Sequence, residues 1–308
     1  MNRGQLINMG IYLSKPNTTK DSHLGENEHL RFAVSAMQGW RMNMEDAHIS
    51  LPNLTANTGL FAVFDGHGGA EVAKFCAKYF PDELIKNTNF ESGNYKVALE
   101  ETFLKMDTLL LGDNYGDLLR EFKNDADSTN SYAGCTANVV LITKTEIYVA
   151  NAGDSRSILF SNDGTVTSLS VDHKPDNDIE RTRINNAGGY VSNGRVNDNL
   201  NLSRAIGDLE YKKNPALKPE QQIISAFPDV VCQPLESHHK FLLIGCDGVW
   251  EMLSANDICL LIDSRISGDP GVKLSTVLEE LLDKLIAKET TEGVGCDNMS
   301  AVLVQFRH

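Results

Sequence analysis

Phe61-Ala62-Val63-Phe64-Asp65-Gly66-His67-Gly68-Gly69 sets a continuous apolar run directly against a carboxylate, a histidine and three glycines. With no polar alternation, residues 60–64 read as a strand buried on both faces, bounded by Gly59 and Gly66. A carboxylate placed where such a strand leaves the core carries a desolvation cost unless it is paired or metal-bound. The glycines permit positive φ and close backbone approach at that point. Alone, the stretch reads equally well as a strand, a turn and an Asp capping the next helix.

The same pattern recurs at four other places. Glu45-Asp46 stands at a strand entrance, and Asp154 follows Val149-Ala150-Asn151-Ala152-Gly153. Asp247-Gly248 follows Phe241-Leu242-Leu243-Ile244-Gly245-Cys246, and Asp297-Asn298 precedes an apolar strand at 299–306. Each one singly is a turn or a cap; five at the ends of buried strands suggest convergence. Anions sharing one pocket cannot all stay ionised unpaired. Hard divalent cations resolve the conflict, and all-oxygen ligation selects Mg²⁺, Mn²⁺ or Ca²⁺ over zinc or copper. Two such ions can lower the pKa of a bridging water and stabilise an in-line displacement at phosphorus. Arg41, four residues before Glu45, could hold phosphoryl oxygens with a bidentate fork. His67 is placed to protonate a leaving alkoxide, its bland alternative being a surface histidine.

The rest of the chain bounds this reading. Its 308 residues are 41% hydrophobic and 23% charged, as in an ordinary soluble protein able to bury a large core. A net charge of −14 argues against nucleic acid as a partner. Six scattered cysteines without a C-x-x-C pair exclude zinc ribbons and a dense disulfide framework, so they read as free thiols in a reducing, cytoplasmic setting. No apolar run approaches the roughly 20 residues of a membrane helix. Residues 1–28 are polar and expected to form a flexible arm. Within them Met9-Gly10-Ile11-Tyr12-Leu13-Ser14 fits N-myristoylation if Gly10 becomes the N-terminus, which would give weak membrane association.

Beyond the arm, strands are expected at 31–37, 60–64, 136–142, 146–151, 155–160, 230–232, 241–246 and 299–306, with a further one after Ala47. Helices are expected at 69–80, stopping before Pro81, and at 95–111, 176–187, 254–264 and 272–288. Residues 113–130 read as a loop, and the Asn-, Lys- and Pro-rich stretch 190–226 as an excursion from the core. Runs of strands interrupted by pairs of helices point to α+β layers with antiparallel ladders, not a doubly wound sheet. Competing phosphate chemistries are weak: there is no Walker A pattern or kinase Gly-rich loop. Cys259-Leu260-Leu261-Ile262-Asp263-Ser264-Arg265 has the C-x₅-R spacing of thiol phosphatases, but Leu-Leu-Ile lie where bare amides are needed, so it reads as an amphipathic helix.

These residues resemble the metal-dependent protein serine/threonine phosphatases of type 2C. The matching stretches include Gly39-Trp40-Arg41, Met44-Glu45-Asp46-Ala47-His48, Val63-Phe64-Asp65-Gly66-His67-Gly68-Gly69 and Asn151-Ala152-Gly153-Asp154-Ser155-Arg156. Asp172-His173-Lys174-Pro175, Ala187-Gly188-Gly189, Ser203-Arg204-Ala205-Ile206-Gly207-Asp208, Cys246-Asp247-Gly248-Val249-Trp250-Glu251 and Asp297-Asn298-Met299-Ser300 follow in family order. The resemblance implies a four-layer α-β-β-α fold: a central antiparallel β-sandwich flanked by pairs of helices. It implies a catalytic domain over 29–308, with 190–226 as a flap that shapes substrate choice.

It further implies two Mn²⁺ or Mg²⁺ ions bridged by Asp65, with the Gly66 carbonyl, Glu45, Asp247 and Asp297 completing the shells and Asp46 close by. Arg41 would hold the substrate phosphate and His67 would be the general acid. Asp154 with Asp247 would serve a weaker third site, next to Glu251, where the family usually has Asp. The flap departs too: Val196-Asn197-Asp198-Asn199-Leu200 stands where the family has a pattern like Val-x-Gly-x-Leu. The implied partners are phosphoproteins, acted on by a monomer. A catalytically dead pseudophosphatase scaffold is the rival, disfavoured because all the metal carboxylates are present. A metal-dependent phosphodiesterase or nuclease is disfavoured by the acidic charge.

Overall fold

The structure is a computed structural model that describes residues 12–112, 119, 121–122 and 133–307. Gly10 and most of the expected 113–130 loop lie outside the described residues. In chain order the strands and helices are β1 (Tyr12–Glu26), β2 (Leu30–Arg41), β3 (Ala47–Thr55), β4 (Thr58–Phe64), β5 (Gly66–His67), α1 (Glu71–Ile85), α2 (Thr88–Glu91), α3 (Tyr95–Leu110), β6 (Gly134–Cys135), β7 (Ala137–Ile142) and β8 (Glu146–Ala152). There follow β9 (Arg156–Ser161), β10 (Val166–Ser168), α4 (Asp178–Asn186), β11 (Val191–Ser192), β12 (Arg195–Val196), β13 (Ile206–Gly207), β14 (Asp229–Pro234), β15 (His239–Gly245), α5 (Asp247–Trp250), α6 (Ala255–Gly268), α7 (Leu274–Leu285) and β16 (Met299–Phe306).

β4 shows how the layers arise. All seven of its residues are buried, because both faces are covered. Phe61 and Val63 point into the core shared with β2, β15 and β16, while Leu60, Ala62 and Phe64 pack with α1 and α3. The strand belongs to a five-stranded sheet ordered β14-β8-β7-β4-β3, facing a six-stranded sheet ordered β1-β2-β16-β15-β9-β10. Neighbouring pairs in both sheets are antiparallel. α6 and α7 bury Ile258, Ile262, Leu278 and Leu282 against the outer face of the six-stranded sheet. The expected α+β sandwich between helix layers is therefore the architecture observed.

Three expectations need correction. The arm expected over 1–28 is, from Tyr12, a 15-residue edge strand antiparallel to β2. Its side chains are half-buried or exposed, so it carries no apolar signal, and backbone pairing is supplemented by Lys20 with Asp283 of α7 and by a tilted ring contact of His23 with His48. The first helix does not stop before Pro81 but runs to Ile85. Proline removes one N–H bond there, yet Phe75, Cys76, Phe80 and Leu84 stay buried on one continuous face. Residues 190–226 are also less irregular than expected, since Ile184, Val196, Leu202, Ala205 and Ile224 form a small core of their own. Within that region Asp198, where the family pattern has glycine, adopts φ 58° and donates no side-chain conflict: its carboxylate accepts the Tyr190 hydroxyl at 2.7 Å. Asp is among the few residues that enter the left-handed region readily.

Candidate active site

The antiparallel order brings the ends of β4, β8, β15 and the start of β16 to one edge of the sandwich. There a cavity of about 270 Å³ is lined by Asp65, Asp154, Asp247 and Asp297 together with Glu45, Arg41 and His67. Carboxylate oxygens of Asp65, Asp154 and Asp247 lie within 4.8 Å of one another, as do those of Asp247, Glu251 and Asp297. Asp65 and Asp46 form a third such group with the Cys246 thiol. All the expected site residues are thus assembled at one place, with two differences of detail. Glu45 lines the cavity without joining any of these groups, and Glu251 groups with Asp297 instead of Asp154. The longer Glu251 side chain reaches back to accept the Gly295 N–H at 2.7 Å.

The electrostatics report crowding. Burial, then Asp247, Asp46, Asp154 and Asp297, push the Asp65 carboxyl well above the usual range. Burial with Asp154, Asp297 and Glu251 raises Asp247 to about 8, despite Lys174 nearby. Burial raises Asp46 to about 7, the Ser300 hydroxyl and Cys246 thiol opposing it. Those two groups lie close to Asp46 but not in hydrogen-bonding geometry, so both its carboxylate oxygens are buried without a partner among the described residues. Buried carboxylates without donors are costly. This all-oxygen donor set fits divalent cations of the Mg²⁺ or Mn²⁺ type. Cys246 fits less well as a ligand, since burial and three neighbouring aspartates keep its thiol protonated.

The cations at the edge are few. Arg41 Nη2 donates to Asp297 Oδ2 at 2.5 Å, and Lys174 pairs with Asp154. His67 Nε2 meets Asp208 Oδ2 at 2.7 Å. Burial of the imidazole acts to lower its pKa, but Asp208 outweighs this and the net shift is upward. Gly66 must be glycine because a Cβ there would overlap the Glu45 carbonyl oxygen.

Sequence reasoning assigned no role to three residues of this assembly. Asn298 accepts the Glu45 N–H at 2.9 Å and donates to the carbonyls of Gln38 and Asn43, clamping the Arg41–Glu45 loop. Asp208, with φ 49°, and Lys174 are the others. All three stand in motifs already singled out, Asp-Asn-Met-Ser, Ser-Arg-Ala-Ile-Gly-Asp and Asp-His-Lys-Pro, yet only the tertiary fold shows what they touch. The C-x₅-R segment lies in α6, where burial raises the Cys259 thiol to about 12 and Arg265 pairs with Glu280.

Comparison with known proteins agrees with this geometry. The family described as Protein phosphatase 2C matches residues 30–294. "Probable protein phosphatase 2C 3" of Paramecium tetraurelia is 52% identical over 301 residues, covering 97% of this chain and all of that protein. "Probable protein phosphatase 2C 21" of Arabidopsis thaliana is 40% identical, covering 97% of this chain and 93% of its own length. The crystal structure of a phosphatase from a pathogenic strain of Toxoplasma gondii superposes with a TM-score of 0.76 at 27% identity, over 94% of this chain and 96% of that one. Matched in sequence over nearly its whole length and in the arrangement of its sheets, the chain belongs to the protein phosphatase 2C family.

Proposed function

We propose that the carboxylate-lined cavity is the catalytic centre of a metal-dependent phosphatase acting on phosphoserine and phosphothreonine in proteins. The observation that carries this reading is the convergence of buried, mutually repelling carboxylates on a cavity that also holds Arg41 and His67, with Asp46 grouped with Asp65 and without a hydrogen-bond donor among the described residues. Asp65, Asp247, Asp297, Glu45, Asp46 and the Gly66 carbonyl are the residues that would hold two Mn²⁺ or Mg²⁺ ions, with Asp154 and Glu251 serving a weaker third position. When bound, the ions supply a water of lowered pKa and neutralise charge developing on the phosphoryl group.

The chain's own residues do the rest. Arg41 projects a guanidinium to the cavity, 44% exposed and available to phosphoryl oxygens in the ground and transition states alike. Arg41→Ala is therefore expected to raise KM about tenfold or more, in line with the roughly 1.5–3 kcal/mol of a hydrogen bond to a charged group, with a smaller fall in kcat. Steady-state kinetics on a phosphothreonine peptide checks the split, and a loss confined to kcat would reassign the residue. His67, held by Asp208, donates a proton to the departing serine or threonine oxygen. Gly134 backs this pair: a Cβ there would overlap Asp208 Oδ2 and sit 2.7 Å from His67 Nε2. Gly134→Ala is expected to lower kcat roughly tenfold to a hundredfold, the scale of an ångström misplacement. Full activity of the variant would show that His67 placement is immaterial.

Hydrolysis of a phosphothreonine peptide, p-nitrophenyl phosphate and a phosphodiester, each with EDTA and with Mn²⁺ restored, tests the reading as a whole. The expected pattern is EDTA-reversible turnover of the two monoesters only. Metal-independent turnover, or none on any monoester, would overturn it. Retention of every metal carboxylate favours an enzyme over a dead scaffold.

A further inference from the structure

Exposed apolar side chains stand near the catalytic cavity, whose own lining is mostly charged and polar. Met42, which lines the cavity next to Arg41, is 53% exposed. Tyr12 lies opposite Arg41 in the β1–β2 ladder, and its hydroxyl is 3.6 Å from where a Cβ on Gly293 would stand. The next residue, Val294, is 43% exposed. Gly295 then turns with φ 71° beneath Met252, whose Cγ and Sδ would lie 3.0 Å from a Cβ at that position. Met252 is itself 43% exposed. Gly295 also donates to Glu251, and Asp297 two residues on pairs with Arg41, so the rim is continuous with the cavity.

Single exposed apolar residues are ordinary, but several gathered beside one polar cavity mark a contact surface. Two of its members are methionines, whose unbranched, polarisable side chains adapt to varied apolar partners. Gly295, which follows Val294, is held by the Glu251 hydrogen bond and packed beneath Met252, and so anchors one end of this surface. The surface is built from β1, the end of β2, the turn after α5 and the connection into β16, and so is separate from residues 190–226.

We propose that Tyr12, Met42, Met252 and Val294 form a shelf that receives a bulky apolar side chain flanking the phosphorylated residue of a protein substrate. The inference rests on the phosphatase reading above and adds a sequence preference to it. A side chain such as leucine, seated beside a phosphate held at Arg41, would leave water against Met252 and Val294. Partial burial of a leucine is worth about a five- to tenfold gain in kcat/KM.

The test is a phosphothreonine peptide scan in which one leucine or one glutamine occupies each of the two positions before and after the phosphorylated residue. The read-out is the leucine-to-glutamine ratio of kcat/KM, measured on the full chain with Mn²⁺ and on Met252→Gln, Val294→Asn, their double variant and Val294→Leu. Because each ratio is internal to one protein, altered stability or metal content cancels from it. One flanking position is expected to show a ratio of about five to ten, falling to within twofold of unity in the double variant and surviving in Val294→Leu. A ratio near unity at every position, or a preference that persists in the double variant, would overturn the shelf while leaving the phosphatase reading intact. No turnover of any peptide or of p-nitrophenyl phosphate would overturn that reading, and the shelf with it.

Discussion

Asp65→Asn is expected to lower turnover of a phosphothreonine peptide by about a thousandfold or more, roughly 4 kcal/mol in the barrier. Asp65 shares a group of close carboxylates with Asp154 and Asp247 and another with Asp46, so it and Asp247, which continues to Glu251 and Asp297, are the members that join the acidic cluster. Its replacement removes a buried anion that would help hold the cations in the reading proposed above. The same substitution should have the opposite effect on the metal-free fold. Asp65 feels Asp247, Asp46, Asp154 and Asp297 as like charges, so a neutral amide of nearly the same size relieves repulsion without opening a cavity. The metal-free variant is expected to melt at or above the temperature of the metal-free parent. The parent should gain stability as Mn²⁺ is added, by linkage of binding to folding, and the variant should gain far less. Thermal melts with EDTA and across a Mn²⁺ series check both limbs. A variant that keeps the parent's Mn²⁺-dependent shift, or its turnover, would remove Asp65 from the metal centre.

Why this residue could be picked out in advance, and others could not, follows from the range over which each signal acts. β4 is legible because a strand covered on both faces must be apolar at every position, and the Asp immediately after it, which alone could be a helix cap, is singled out because the pattern recurs at other strand ends. The same holds for Asp247 after β15 and Asp297 before β16. β1 obeys the converse. As the edge strand of its sheet it satisfies its backbone against β2 alone and turns polar side chains outward, so its composition is that of an unstructured arm. Nor does any local pattern say that β16, the last strand, inserts between β2 and β15. That placement brings Asp297 to Arg41 and Asn298 to Glu45 across more than 250 residues of chain. Asp208 likewise meets His67 only because β13 and β5 both pair with β6. Carboxylates at strand ends are read from neighbours in sequence; the residues that orient them are neighbours only in space.

Glu180 illustrates the same point and carries the second large effect, this time on stability. It lies on α4, 2% exposed, outside the metal cavity. Its Oε2 accepts from Arg183 at 2.7 Å and from the Ser203 hydroxyl at 2.6 Å, while Oε1 accepts from Arg204 at 2.7 Å. Arg183 goes on to the carbonyl of Ile223 at 3.0 Å, and Arg204 to Asp229 at 2.9 Å, so one carboxylate ties the 190–226 excursion to the start of β14. Burial alone would raise the Glu180 pKa, but hydrogen bonding from Arg204 and the charges of both arginines outweigh it and bring it to about 2. The folded value is below the ordinary 4.5, so the unfolded chain binds the proton more tightly. The stabilisation is accordingly complete above about pH 4.5 and is lost as pH falls through about 2. A shift of this size corresponds to about 3 kcal/mol. Glu180→Ala also leaves two buried guanidinium groups facing each other, a loss of roughly 3–5 kcal/mol for breaking a buried pair. Denaturant unfolding at pH 7 should therefore show Glu180→Ala less stable by about that amount, or, where the excursion opens by itself, new protease cleavage confined to 190–226. The gap from the parent should narrow steadily between pH 4.5 and 2. An unchanged midpoint and an unchanged digestion pattern at pH 7 would show that the arginines are satisfied without Glu180. A gap independent of pH would show that packing, and not the charge, is what Glu180 contributes.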